Sequence, residues 1–349
     1  QLGGGSASFV SSEGLIITNH HVAFGALQRA STAENDYLTN GFLARNRVDE
    51  IQAPGYEARL LLEMKDVTKE ILKAVNKLKN PTERDYAINE NIAKMTESLE
   101  KEKEDIDARV AAMYNGKQYI LFIYKVFKDI RIVYAPPGSI GKYGGDIDNW
   151  MWPRQTGDFS FLRVYVSPEG YGAEFNVDNV PYQPKVWLKV ANDDLKNNDL
   201  TFIMGYPGAT TRYRTSNSAA WNLNNNYPFS IQNFTEIIAI MDKLTENDPE
   251  GKIKVAGLRA GLANAQKNFQ GKVDGMTNTN YVQKKLDFEV EFNKWVNSNP
   301  ETKEKYGTIL KDIKAQYAII NKTRERDDVL GILQGLAGTQ LGIADMAYN

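Results

Sequence analysis

The stretch Gly14-Leu15-Ile16-Ile17-Thr18-Asn19-His20-His21-Val22-Ala23 holds both histidines of this 349-residue chain, side by side at the end of an apolar run. Histidine is the side chain whose unperturbed pKa lies near neutrality, which makes it the usual proton carrier in catalysis. The β-branched residues before it read as a strand, and Ser11-Ser12-Glu13-Gly14 reads as the turn of a hairpin covering residues 6–22. A strand ending in Thr-Asn-His-His would deliver an imidazole to a barrel rim. His20 and His21 would then face opposite ways, because successive strand side chains alternate.

Composition narrows the alternatives. A chain of this length exceeds one ordinary core, so two domains are expected. Hydrophobic residues make up 42% and aromatics 11%, enough for packed cores. With 42 basic and 44 acidic residues the formal charge is −2, which gives no electrostatic reason to expect nucleic acid as a partner. No apolar run approaches the roughly 20 residues of a membrane span. The absence of cysteine removes thiol nucleophiles, disulfides and cysteine-ligated zinc, and leaves the redox compartment undecided. Adjacent histidines are not the i, i+4 pair of a helical zinc site and there is no cysteine, so metal binding is not expected. Gln1-Leu2-Gly3-Gly4-Gly5 has neither a basic nor an apolar leader region and reads as a start inside a domain.

Along the chain, Lys65 to about Met113 is dense in Lys and Glu with apolar residues at helical spacing, and Asn80-Pro81 divides it, predicting a helical hairpin. Its charge is the plain sign of a solvated helix face. Strands are predicted at Gln118–Phe127, Ile130–Tyr134, Phe159–Val166, Lys185–Val190 and Leu200–Met204, a spacing that suggests a barrel or sandwich. Beyond about Ser216 the pattern is helical, with amphipathic stretches at Phe234–Leu244, Tyr281–Val296 and Tyr306–Ile320. The expected class is α+β: an antiparallel β-barrel half with helical insertions over 1–215, the hairpin at about 65–113 among them, then an all-α domain over 216–349.

A histidine base needs a carboxylate to hold its tautomer, and it needs a nucleophile. Asp158 follows Gly157 and opens an alternating strand. It is placed either to meet a histidine from another strand or to stabilise its own turn. Asp146 and Asp148, in the turn after Gly144-Gly145, fit the turn reading better. Ser139 in Pro137-Gly138-Ser139-Ile140-Gly141 supports only a turn.

These segments carry a resemblance. Gly5–Ser11, Gly14-Leu15, Thr18-Asn19-His20-His21, Ala135–Gly141, the Asp146–Asp158 block with Asp148-Asn149-Trp150-Met151-Trp152-Pro153-Arg154, Pro181–Lys185, and Gly205-Tyr206-Pro207-Gly208 with Arg212-Tyr213 are similar to the dipeptidyl-peptidase 7 and 11 family. These are bacterial serine exopeptidases of the chymotrypsin-like clan. The resemblance spans essentially the whole chain. It implies His21 as general base, Asp158 as the acid that orients it, and a structural His20. It implies Asn149 and Trp150 as residues holding the free α-amino group of an oligopeptide substrate. The amide oxygen can accept from the ammonium and the indole can wall the subsite. Core packing competes as a role for Trp150 and is the preferred one for Trp152. Asn264 falls where the family places another substrate-binding asparagine, and an exposed helix asparagine is its plainer role.

Two departures matter. Family members commonly carry cysteines before the first strand and after the histidine pair, so here local packing must brace the base. The family's Gly-Asn-Ser-Gly segment, which supplies the nucleophile from a second barrel after the helical domain, does not occur in these residues. The resemblance therefore implies the N-terminal part of a serine dipeptidyl-peptidase that works without cofactor, inactive alone and periplasmic or cell-surface in a bacterium; the oligomeric state, a homodimer included, is left open by these residues. The competing readings are a peptide-binding protein of the same fold that never had the serine, and a helical structural protein in which the histidines only pack.

Overall fold

The computed structural model describes residues 1–101, 104–114, 116–202, 211 and 213–336. The chain divides into two compact units, Gln1–Gly205 with Ile240–Gly261, and Tyr206–Ala239 with Leu262–Asn349. The division therefore does not fall at a single point near residue 215, because 240–261 groups with the first unit.

In the first unit, β1 (Ala7–Phe9) and β2 (Leu15–Thr18) form the expected hairpin, with Ala7 opposite Thr18. Its turn needs Gly14, whose φ is +70°, and a Cβ there would lie 2.7 Å from the Val164 carbonyl oxygen. The strand path runs β1-β2-β9-β8-β3, from β3 (Phe42–Leu43), β8 (Asp129–Ala135) and β9 (Ser160–Val166). Two short strands, β4 (Ile51–Gln52) on β8 and β10 (Val180–Pro181) on β9, complete seven antiparallel strands. A second antiparallel sheet, in the order β5-β7-β6, is made by β5 (Ala58–Asp66), β6 (Ile106–Met113) and β7 (Gln118–Phe127).

The class is α+β, as expected, but three local readings change. The histidines do not end a strand. They open helix α1 (His20–Ala30), with Asn19 at its N-cap. A short α2 (Tyr37–Asn40) precedes β5. The helical hairpin of 65–113 is only partly helical: it holds α3 (Thr68–Ile71) and one long helix, α4 (Pro81–Glu100). Its last part is β6, laddered like β5 onto β7, and that pairing overrides the helix propensity of Ala108, Ala111 and Ala112. Lys185–Val190 is no strand. It contributes a bond from Leu188 N–H to Phe9 O (2.8 Å), and one bond is not a ladder. Leu200–Phe202 has no regular structure, and the rest of that predicted strand lies outside the described residues, as do Gly205–Gly208 and Arg212.

The main core joins Ile16, Ile130, Ile132, Leu162 and Val164 of the sheet to Ala23, Ala26 and Leu27 of α1. A smaller core sets Val67, Ile71, Tyr119 and Leu121 against Ile88, Ile92 and Met95 of α4.

Helix α5 (Gly138–Gly141) is a single turn, followed in the chain by α6 (Ser216–Trp221), a π-helical segment Asn222–Asn226 and α7 (Tyr227–Leu244). Then come α8 (Pro249–Asn278), α9 (Tyr281–Asn297), α10 (Pro300–Tyr306) and α11 (Ile309–Leu336). In the second unit, Tyr227 stacks on Phe269 with ring centres 5.0 Å apart. The start of α6 is tied to α9 by Ser216, whose hydroxyl donates to Glu289 Oε2 at 2.7 Å. No helix among the described residues is long and apolar enough to cross a membrane.

Candidate active site

Strand pairing explains how residues 137 positions apart meet. Thr18 at the end of β2 lies opposite Ser160 at the start of β9, so Asn19–His21 and Asp158 leave the sheet at the same place. There His21 Nδ1 lies 2.7 Å from Asp158 Oδ2, and the His21 backbone N–H donates to Asp158 Oδ1 at 2.9 Å. The carboxylate thus does two jobs. It holds the imidazole and satisfies one of the orphan amides at the start of α1, where a helix favours negative charge. Asn19 makes no side-chain cap on its own helix. Its Nδ2 donates instead to Asp158 Oδ2 and to the Asp158 carbonyl oxygen, both at 3.2 Å.

Helical geometry, not strand alternation, separates the two histidines. His20 shares the buried stripe of α1 with Ala23 and Leu27, at i, i+3 and i+7, and is 2% exposed. Its Nδ1 lies 3.3 Å from Ser160 Oγ, and its ring sits so close to Gly141 that a Cβ there would be 2.7 Å from it. His21, about 100° further round, has a side chain 71% exposed.

Their proton affinities diverge accordingly. The hydrogen bond to Asp158 raises the His21 imidazole above its usual 6.5, outweighing burial and the Arg154 charge that lower it. Burial lowers His20 despite Asp158 nearby, so it stays neutral. Burial pushes the Asp158 carboxyl up, but the His21 side-chain and backbone hydrogen bonds prevail and hold it below its usual value. This is an imidazole with one nitrogen fixed on a carboxylate and its other face open. Such a group can take a proton from a nucleophile and hold the resulting charge.

The other expected residues fall as follows. Asn149 and Trp150 lie in the loop between α5 and β9, in the same unit as the pair. Asn149 Oδ1 accepts from Arg154 Nη1 at 3.0 Å. Trp150 adopts φ +61° and is 59% exposed. Trp152 is 93% exposed, so the expected core packing fails: it sits in the exposed run 150–155. Asp146 is more than a turn residue. It reaches Arg259 Nη1 of α8 at 3.1 Å and Lys142 Nζ at 3.3 Å, while Arg259 also grips Asp242 at 2.6 and 3.0 Å. Those cations hold the Asp146 carboxyl low against the effect of burial. The loop bearing Asn149 is therefore pinned within the first unit. Asn264 is an exposed residue of α8 in the second unit. Sequence reasoning gave Asn19 and Arg154 no role of their own. Asn19 was findable as an Asn immediately before apolar residues at helical spacing. Among the described residues no three His, Cys, Asp or Glu side chains converge on one point.

Comparison with known proteins adds to this geometry. A family model described as Peptidase S46 matches residues 1–349. An Asp/Glu-specific dipeptidyl-peptidase of Flavobacterium psychrophilum is 39% identical over 318 residues, covering 91% of this chain and 44% of that protein. A dipeptidyl-peptidase 7 of Capnocytophaga gingivalis is 36% identical, covering 92% and 44%. The crystal structure of Porphyromonas endodontalis DPP11 in complex with the dipeptide Arg-Asp aligns with a TM-score of 0.85 at 31% identity, over 94% of this chain and 48% of that one. The chain thus spans less than half the length of the relatives it matches.

Proposed function

Because the chain belongs to the Peptidase S46 family, we propose that it forms the His–Asp part of a serine dipeptidyl-peptidase that releases dipeptides from the free N-terminus of oligopeptides. The observation that carries the reading is the 2.7 Å bond between an open His21 imidazole and Asp158, with the His21 N–H on the same carboxylate. In this reading Nε2 of His21 removes the proton of the attacking serine, and Asp158 stabilises the imidazolium that forms. His21 then returns the proton to the departing amine. No cofactor takes part.

Relatives named as dipeptidyl-peptidases support dipeptide release. Asn149 and Trp150 are proposed for the amino-end subsite, with Asn264 as a further contributor. The nucleophilic serine is proposed to come from outside these 349 residues, which by themselves are expected to hydrolyse nothing. A periplasmic or cell-surface location belongs to the same proposal.

The experiment is to compare, with the full-length protein, dipeptidyl-coumarin substrates bearing free and acetylated amino ends. Selective cleavage of the free form, lost in Asn149→Ala, is expected. Equal cleavage of both forms by the wild type contradicts the exopeptidase reading.

A further inference from the structure

Arg154 has no part in the mechanism above, yet it holds the residue proposed for the amino-end subsite. Its Nη1 donates to the Asn149 amide oxygen at 3.0 Å. An exposed arginine paired with a residue five positions away is ordinarily worth little. Here the consequence lies in what it orients. A guanidinium has donors only, so the amide atom it holds must be Oδ1, and Asn149 cannot turn over to offer Nδ2 in its place. An ammonium likewise needs the oxygen.

We propose that Arg154 is a positioning residue that fixes the Asn149 amide oxygen-first for the substrate's amino end. The inference rests on the proposed function, since it takes Asn149 as the amino-end anchor. Because Arg154 is exposed, solvent screens its repulsion of an arriving ammonium. Lysine also carries donors only and can hold the same oxygen, though without the planar rigidity of the guanidinium.

The test uses Arg154→Ala, Arg154→Lys and Asn149→Ala in the full-length protein, with free and acetylated dipeptidyl substrates. For Arg154→Ala we expect KM for the free-amino substrate to rise about tenfold, the loss of one charge-assisted hydrogen bond, with a smaller change in kcat. Arg154→Lys, which keeps a donor for the Asn149 oxygen, should recover most of that loss.

If Asn149→Ala raises KM and Arg154→Ala does not, Arg154 does not position the anchor and the inference falls while the proposed function stands. If Asn149→Ala itself leaves KM unchanged, the amino-end assignment fails and takes the inference with it.

Discussion

At its start, β9 is preceded by Asp158, whose carboxylate holds an imidazole that is 71% exposed. A few residues further on, the same strand carries Arg163 and Tyr165, and there every charged partner is buried. Glu50 takes Arg163 Nε at 2.9 Å and the Tyr165 hydroxyl at 2.9 Å. Asp129 takes Arg131 at 2.7 Å and Asn179 Nδ2 at 2.9 Å. The Arg131 guanidinium lies 3.8 Å over the Tyr165 ring. Burial, with the bond to Glu50, pushes the Tyr165 hydroxyl up to about 12, so it keeps its proton. The buried cluster is saturated with partners and closed to any ligand, and its role is to fix strands and loops to one another. The pair at the strand's mouth is bonded on one side only. A network of ionisable groups becomes a candidate site when its polar face opens outward, not when it merely contains many charges.

The comparison can be broken from either side. The largest effect is expected at the open pair: in the full-length protein His21→Ala or Asp158→Ala should lower kcat by a factor on the order of 10⁴. Their stability cost should be small, about 1 kcal/mol for Asp158→Ala through the lost helix cap. Steady-state kinetics and thermal unfolding of the same preparations check both. Asp129→Ala should do the reverse, costing about 3–5 kcal/mol because Arg131 is left buried without its carboxylate. The folded fraction should keep wild-type kcat/KM. Loss of turnover in fully folded Asp129→Ala would erase the distinction between the clusters.

Gly141→Ala sharpens it. A methyl 2.7 Å from the His20 ring should cost about 1–3 kcal/mol by overpacking, and denaturant midpoints measure this. The smallest effect is the pH dependence of stability. His21 is raised, so its contribution is fully present below its unfolded value near 6.5 and fades as pH rises through the folded pKa. Asp158 is lowered, so its contribution is present above 3.8 and fades as pH falls through its folded pKa. Urea midpoints of wild type minus His21→Ala should therefore differ most between these two values and converge on the alkaline side. A difference that grows as pH rises above 6.5 contradicts the pairing.

The hairpin at 7–18 and the strands at 118–127 and 160–166 were legible because alternation and turn residues agree there with the final pairing. The start of α1 was misread, since the apolar run Leu15–Thr18 continues visually into Val22-Ala23. Asn19 followed by Ala23, Ala26 and Leu27 was the helix signal. β5 and β6 were illegible for a different reason: residues with good helix propensity become strands only because β7 lies between them. At the site, Asp158 could be paired with His21 only through resemblance, because nothing local shows that Thr18 and Ser160 will be opposite each other. The Asp146–Arg259 bond joins residues 113 positions apart, and no local pattern foretells it.

The most direct test of the central claim, that Asp158 makes His21 an open base, is the imidazole titration of His21 followed by ring-carbon NMR in wild type and Asp158→Asn. The account predicts a wild-type pKa above the ordinary imidazole value and a clear fall in Asp158→Asn, with buried His20 protonating below the ordinary value in both. A His21 that titrates at or below 6.5 and ignores the substitution would contradict it.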